Sequence, residues 1–233
     1  MMDHHPQNNI ITMCGIGLSG LKNHKILSHG DLEILKLNLR YSKKDIIFIK
    51  NQFMSRERRS KLDPLSRIIT LGEIDPTTVN EVIQDIYEIN AEDAKRQIVE
   101  PIKLIINSFG GEVYSGLALI DVIDSSQTPI HTICHGMAMS MGLIVFAAGH
   151  VRQASKYSTF MYHEALYELD GKVSFHKQEL KETERVDKIC DVYLISKTKF
   201  TDKILKPHRD KQAEWYFDVK VAQRYGLVDE ILE

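Results

Sequence analysis

The sequence carries a serine in a setting that could make it a nucleophile. Ser140 stands in a turn of small residues and glycines, between the apolar run 130–133 and the apolar, helix-compatible run 143–148. A serine at a strand-to-helix junction can project from a tight turn. The N–H groups and positive dipole end of the next helix can then stabilise an oxyanion. The alternative is that Ser140 only caps the helix, which is the commonest role of serine at this place.

A serine nucleophile needs a base, a group that orients the base, and donors for the oxyanion. Of the ten histidines, His163 is the best candidate base because it ends the apolar strand predicted at 159–162; a structural role is the alternative. Gly110 and Gly111 lack a Cβ, so their backbone N–H groups could approach a substrate. Spacing does not choose the orienting carboxylate. The last third of the chain offers Asp187, Asp191, Asp202, Asp210 and Asp218.

The composition predicts a folded domain and gives no indication of a strongly charged partner. The chain has 233 residues, 43% hydrophobic and 27% charged, which fits one domain with or without extensions. A net charge of −2 gives no argument for nucleic acid or an anionic membrane. The three cysteines form no CxxC motif, which predicts reduced thiols in a cytoplasmic protein and no metal site. No apolar run is long enough to span a membrane, and no cofactor is expected.

Strands and helices are predicted to alternate from residue 66 onward. Strands are predicted at 67–72, 101–107, 129–133, 150–154, 159–162 and 226–232, and helices at 76–90, 112–125, 143–148, 174–199 and 215–225. Residues 91–100 are expected to form a polar connection. This alternation indicates an α/β fold with a mainly parallel sheet, in which sites gather at the carboxyl ends of strands. The glycine turns at 109–111 and 136–142 could lie side by side there.

Four motifs in order carry a resemblance to a known family. They are Asn107-Ser108-Phe109-Gly110-Gly111, then Gly136 to Gly142 around Ser140, then Met161-Tyr162-His163, then Tyr225-Gly226-Leu227-Val228-Asp229. Together they resemble the Clp peptidase (ClpP) family over residues 66–233. The resemblance implies a ClpP/crotonase-like spiral of ββα units with a mainly parallel sheet and a protruding handle helix. Residues 1–65 would then be an N-terminal extension.

The resemblance also implies an activity and the residues that perform it. Ser140 would be the nucleophile and His163 the general base, and counting back from Tyr225 gives Asp210 as the acidic residue. The N–H groups of Gly110 and Met141 would form the oxyanion hole, with substrate bound along Gly111. The implied protein is a cytoplasmic serine endopeptidase that hydrolyses unfolded proteins or short peptides. It would be a homo-oligomer of two stacked heptameric rings enclosing a chamber, with a Clp-type ATPase partner.

The sequence departs from the family pattern at several places. Phe109 replaces a proline, Met139 replaces a small residue before the serine, Glu164-Ala165 replace Gln-Pro, and Gly171 is the one glycine in 166–174. These changes keep open an inactive Clp-like ring subunit. A crotonase-like acyl-CoA enzyme is a further alternative, but its backbone oxyanion hole would not need both Ser140 and His163.

Overall fold

The computed structural model describes residues 67–97, 100–165, 173–210 and 214–233. The predicted N-terminal extension, residues 1–65, lies outside these ranges, as does Gly171. The strands are β1 Ile68–Leu71, β2 Ile102–Ser108, β3 Ile130–Met139, β4 Val151–Ser155, β5 Thr159–Tyr162, β6 Trp215–Asp218 and β7 Glu230–Leu232. The helices are α1 Pro76–Arg96, α2 Val113–Ser125, α3 Met141–Ala147, α4 Val173–Lys197, α5 Asp202–Asp210 and α6 Val219–Arg224.

The described strands form one sheet that is mainly parallel. Its order is β1-β2-β3-β4-β7, and each of these neighbours pairs in parallel. The first half of β3 pairs with β4, while its last residues, Met137–Met139, pair in parallel with β5. The predicted α/β fold is therefore confirmed. β6 is the exception in direction, because it runs antiparallel to β5.

The core lies between this sheet and the helices packed against it. β2 alternates buried and less buried residues, with Ile102, Leu104 and Ile106 fully buried. α3 is buried along its whole length, as expected for a short apolar helix behind a sheet. The start of α1 is fixed by Asp75, whose carboxylate accepts from the N–H groups of Thr77 and Thr78 at 2.7 and 3.0 Å. These helices and strands hold the ends of β2 and β3 in place.

The prediction of a single helix over residues 215–225 is wrong. The chain forms β6 at Trp215–Asp218 and only then α6. Side chains along β6 alternate, with Phe217 buried and Tyr216 exposed, which is the period of a strand. Asp218 ends the strand and caps α6 by accepting from the N–H of Val221 at 2.9 Å. The periodic stretch that follows Asp218 therefore belongs to a shorter helix.

Other boundaries also differ from the prediction. α1 continues through part of the expected polar connection and ends at Arg96. β3 runs to Met139, so that it reaches the serine directly. α5 was not predicted, and it contains Pro207. Among the helices that the structure describes, none has the length and apolar content needed to cross a membrane.

Candidate active site

Ser140 lies in a sharp turn between β3 and α3. Its backbone has φ 52° and ψ −126°, a region that residues with a side chain rarely adopt. Two backbone hydrogen bonds hold the turn. The Ser140 N–H donates to the carbonyl of Met161 at 2.9 Å, and the Leu143 N–H donates to the Ser140 carbonyl at 3.0 Å. The Ser140 side chain makes no capping hydrogen bond to α3, so the hydroxyl is available for another partner.

That partner is His163, which directly follows β5. The His163 Nε2 lies 2.7 Å from the Ser140 Oγ. β5 pairs with the end of β3, so the two strands fix the distance between these side chains. Burial lowers the pKa of His163 below its ordinary value, and the opposing attraction of Glu214 is smaller. The imidazole is therefore neutral near pH 7, the form that can accept the serine proton.

The glycine turn after β2 lies against the serine turn. A Cβ placed on Gly110 would come within 2.8 Å of the Met139 carbonyl oxygen and of the Ser140 Cβ. Gly110 also has φ +107°, a conformation that L residues rarely adopt. The expected meeting of the two turns is thus seen in the structure. Only a glycine allows the backbone this close to the nucleophile.

The two amides predicted for the oxyanion hole differ in their present partners. Met141 is the first residue of α3, so the helix itself provides no acceptor for its N–H. The Gly110 N–H donates to the Ser108 Oγ at 3.0 Å. Both amides flank Ser140, since a Gly110 Cβ would lie 3.1 Å from the Met141 nitrogen. Binding of an oxyanion by Gly110 would have to compete with the buried Ser108 hydroxyl.

The backbone N–H and carbonyl of Gly111 point away from Ile74, the residue with which Gly111 pairs. It forms a parallel bridge with Ile74. This bridge uses the carbonyl of Gly110, at 3.0 Å from the Ile74 N–H, and the N–H of Glu112, at 2.7 Å from the Ile74 carbonyl. In a parallel ladder, the N–H and carbonyl of the residue between these two point to the opposite side. The groups of Gly111 are therefore oriented to pair with another extended chain.

Among the described residues, no hydrogen bond or ion pair joins Asp210 to His163. It is the last residue of α5, and its carboxylate accepts from the Lys206 Nζ at 2.7 and 2.8 Å. Its side chain is 57% exposed. The pair Lys206–Asp210 has the i, i+4 spacing of a surface ion pair on a helix.

Among the described residues, Glu214 is the carboxylate whose charge affects the pKa of His163. β5 and β6 pair antiparallel, with Tyr162 opposite Trp215, so continuing this register by one residue brings Glu214 opposite His163. Directly opposed side chains in such a pair have Cβ atoms about 5 Å apart. Consistent with this register, the charge of Glu214 raises the pKa of His163, against the larger effect of burial. At present the Glu214 Oε2 accepts from the Tyr216 hydroxyl at 2.6 Å.

Comparison with known proteins places this geometry in a family. The Clp protease family matches residues 50–233. An ATP-dependent Clp protease proteolytic subunit of Deinococcus radiodurans is 29% identical over 171 residues, which cover 72% of this chain and 80% of the relative. An ATP-dependent Clp protease proteolytic subunit 1 of Prochlorococcus marinus subsp. pastoris is 31% identical over 170 residues, which cover 72% of this chain and 84% of the relative.

The chain belongs to the Clp protease family. The resemblance drawn from four short motifs is thereby confirmed, and membership supports a peptidase of the Clp type. The elements that carry the motifs, from β2 to β7, all lie within the matched range.

The sequence analysis did not consider Glu214 as a carboxylate near His163, for two reasons. It searched the last third of the chain for aspartate alone, and it assigned residues 215–225 to a helix. As the residue before a helix, Glu214 would have had no fixed relation to His163. As the residue before β6, it is tied to His163 by strand register. The available signal was the run of three aromatic residues Trp215-Tyr216-Phe217, a residue type that is enriched in strands.

A small cavity lies beside the serine and histidine of this Clp family member. It has a volume of about 40 Å³ and is lined on its apolar side by Val113, Met141 and Ile144. Asp187 and Asp191 of α4 line it as well. Asp191 accepts from the Tyr162 hydroxyl at 2.6 Å and forms an ion pair with Arg209.

Asp187 has a different environment from Asp191. Its carboxylate accepts from the Ala165 N–H at 3.0 Å. Burial raises the pKa of Asp187 to about 6, with a smaller contribution from the charges of Asp191 and Glu164, and the hydrogen bond from Ala165 opposes this rise. Among the described residues, no cationic side chain forms an ion pair with it. Asp187 therefore places a negative charge near the serine at neutral pH.

Proposed function

We propose that this chain is a serine endopeptidase that hydrolyses peptide bonds of unfolded proteins or short peptides. The observation that carries the proposal is the 2.7 Å contact between the Ser140 Oγ and the His163 Nε2. It occurs at a strained strand-to-helix turn in a member of the Clp protease family. A neutral imidazole at this distance can take the serine proton as the hydroxyl attacks a carbonyl carbon.

The reaction proceeds in two steps. The Ser140 Oγ bonds to the peptide carbonyl carbon, and the proton moves to the His163 Nε2. The N–H groups of Gly110 and Met141 stabilise the oxyanion, an effect of about 3 kcal/mol for each donor in other serine proteases. The imidazolium then protonates the leaving amine, and water hydrolyses the acyl-enzyme by the same route. The unoccupied edge of Gly111 pairs with the extended substrate.

The third member of the triad is a carboxylate that holds the imidazole. The family resemblance assigned this role to Asp210, whereas strand register and electrostatics favour Glu214. We assign it to Glu214, which accepts from the His163 Nδ1 once its bond to Tyr216 yields. Asp210, paired with Lys206, is the alternative that mutation distinguishes.

The proposed assembly is a homo-oligomeric chamber of two stacked heptameric rings in the cytoplasm, with a Clp-type ATPase as partner. The relatives are named as proteolytic subunits of ATP-dependent Clp proteases. Exposed apolar side chains on α4, namely Leu180, Ile189 and Val192, are suited to contacts between chains. A native mass near fourteen chains is expected, and a stable monomer would contradict the chamber.

Labelling with a fluorophosphonate probe tests the catalytic serine. The wild type should form an adduct that mass mapping places on Ser140, and both Ser140→Ala and His163→Ala should abolish it. Ser155→Ala is the matched control, because Ser155 also contacts a histidine, with its Oγ 2.6 Å from the His135 Nδ1. That pair lies outside the strained turn, so the control should label like the wild type. A folded wild type that does not label would refute the proposal and leave an inactive ring subunit.

A further inference from the structure

His163 lies just beyond the last paired residue of β5. Met161 is the last residue of β5 in register with β3, and Tyr162 is the last in register with β6. The 2.7 Å contact between the His163 Nε2 and the Ser140 Oγ nevertheless needs an accurately held imidazole. A misplacement of about 1 Å in an active site can reduce the rate about 100-fold. Contacts outside the sheet must therefore help to hold the histidine.

Two carboxylates of α4 bond to the chain on either side of His163. Before the histidine, the Tyr162 hydroxyl donates to the Asp191 Oδ1 at 2.6 Å. After it, the Ala165 N–H donates to the Asp187 Oδ1 at 3.0 Å. Asp187 and Asp191 are four residues apart, so they lie on one face of α4, one helical turn apart. The same helix therefore holds the residue before the histidine and the residue two positions after it.

The two carboxylates differ in their other partners. Asp191 forms an ion pair with Arg209, whose Nη1 also lies 3.4 Å from the Tyr162 hydroxyl. Asp187 has no ion pair within the described ranges, and burial raises its pKa to about 6. A carboxyl whose pKa is raised by folding destabilises the fold at a pH above that value. At neutral pH the charge of Asp187 thus weakens the fold, while its oxygen fixes the backbone beside His163.

We propose that Asp187 and Asp191 are positioning residues: by bonding the chain on both sides of His163, they hold its imidazole against the nucleophile. This inference rests on the proposed function, in which His163 is the general base. Both carboxylates act through the histidine and need no contact with the substrate. Loss of either bond moves the His163 Nε2 away from the Ser140 Oγ and slows proton transfer, although the chain stays folded.

Two substitutions at Asp187 separate the role of its oxygen from that of its charge. Both Asp187→Ala and Asp187→Asn remove the charge, but asparagine keeps an oxygen that can accept from the Ala165 N–H. The full chain is labelled at Ser140 with the fluorophosphonate probe at pH 7.5. Asp187→Ala should have a maximal labelling rate about tenfold below that of Asp187→Asn, with the same half-saturating probe concentration. Equal maximal rates in the two variants would overturn the role of Asp187.

The pH dependence of labelling distinguishes position from electrostatics. Burial lowers the pKa of His163, so an imidazole that moves toward solvent should titrate at a higher pH. Loss of a nearby negative charge has the opposite effect and is common to both variants. The midpoint should therefore be higher in Asp187→Ala than in Asp187→Asn, and an equal or lower midpoint would contradict the proposal. The titratable and charged groups around His163 and Asp187, unchanged in both variants, are Tyr162, Glu164, Cys190, Asp191, Arg209 and Glu214.

Removal of one hydroxyl tests the bond on the other side of the histidine. Tyr162→Phe keeps a ring that is 4% exposed and deletes only the donor to Asp191. It should slow labelling several-fold. Tyr193→Phe is the matched control, because the Tyr193 hydroxyl of α4 donates to the Asp124 carboxylate of α2 at 3.0 Å and neither residue lines the cavity beside the serine. The control should label at the wild-type rate, and equal rates in the two variants would refute the role of Asp191.

A direct measurement separates this inference from the proposed function. Wild-type protein that fails to label refutes the proposed function, whereas crystal structures of the Asp187 variants still report the distance between the His163 Nε2 and the Ser140 Oγ. This distance should stay near 2.7 Å in Asp187→Asn and lengthen in Asp187→Ala. An unchanged distance in Asp187→Ala would overturn the inference. Unfolding in urea at pH 7.5 verifies that each variant is folded.

Discussion

Replacing Glu214 tests which carboxylate supports His163, the proposed general base. Glu214→Gln removes the charge that strand register places opposite His163, and Asp210→Asn removes the charge that the family pattern indicated. We expect the first change to reduce kcat and the second to leave it nearly unchanged. The reason is that Asp210 is bonded to Lys206 on the surface of α5 and has no bond to His163 among the described residues.

The size of the effect follows from the attraction between a carboxylate and an imidazolium. At a separation of about 5 Å it is about 0.8 kcal/mol in water and about 3.3 kcal/mol at an effective dielectric constant of 20. These values correspond to losses of about 4-fold and about 300-fold in rate. Glu214 is exposed, so water screens part of its charge. We therefore expect a loss of about 10- to 100-fold, less than the ~10⁴-fold seen for a buried triad aspartate.

The pH profile of kcat/KM supplies a readout that a merely structural role would not change. In the wild type the activity should rise as His163 loses its proton, with a midpoint below the ordinary histidine pKa, because burial lowers the pKa of His163. Glu214 raises that pKa, so Glu214→Gln should move the midpoint to lower pH while the plateau falls. An unchanged profile in Glu214→Gln, together with a large loss in Asp210→Asn, would refute the assignment to Glu214.

Two further predictions concern the turn and the frame of the site. Gly110→Ala should reduce peptidase activity by about 100-fold or more, because its Cβ would lie 2.8 Å from the Met139 oxygen and from the Ser140 Cβ and disturb an oxyanion donor. Gly72→Ala is the control, since its Cβ would meet no atom within 4 Å; equal activity of both variants would contradict the role of Gly110. Asp93→Asn should lower the free energy of unfolding, measured in urea, by about 2 to 3 kcal/mol, because a 7% exposed carboxylate loses its charged bonds to Arg67. Glu92→Gln, which weakens only the exposed pairs with Lys95 and Arg96, should change it by less than about 0.5 kcal/mol, and similar losses in the two variants would argue against a special role for Asp93.

The sequence predicted the parts of the site that depend on local pattern. Ser140 and His163 each end a short apolar strand, and parallel strands align their carboxyl ends at one edge of the sheet. Their contact therefore follows from two local features and one general rule. Gly110 could be placed for the same reason, because a pair of glycines after a strand marks a turn at that edge. No knowledge of distant pairing was needed for these three residues.

The carboxylate could not be predicted in this way because its position depends on pairing between distant segments. Glu214 reaches His163 only through the antiparallel pairing of β6 with β5, and Trp215 and Tyr162 are far apart in sequence. A periodic segment of eleven residues, such as 215–225, is ambiguous between one helix and a strand followed by a helix. Because residues 215–225 were predicted as one helix, β6 was missed, and so was the pairing that places Glu214 opposite His163.

The pairing of β5 with β6 also fixes the position of His163 relative to Glu214. β6 is fastened by aromatic contacts, with the rings of Phe217 and Phe160 stacked 5.7 Å apart and those of Trp215 and His208 stacked 4.4 Å apart. Phe160 lies on β5, three residues before His163, so one aromatic contact joins the two strands that carry the pair. At this site the strand register, held by these aromatic contacts, is therefore what brings the acidic side chain of Glu214 opposite His163.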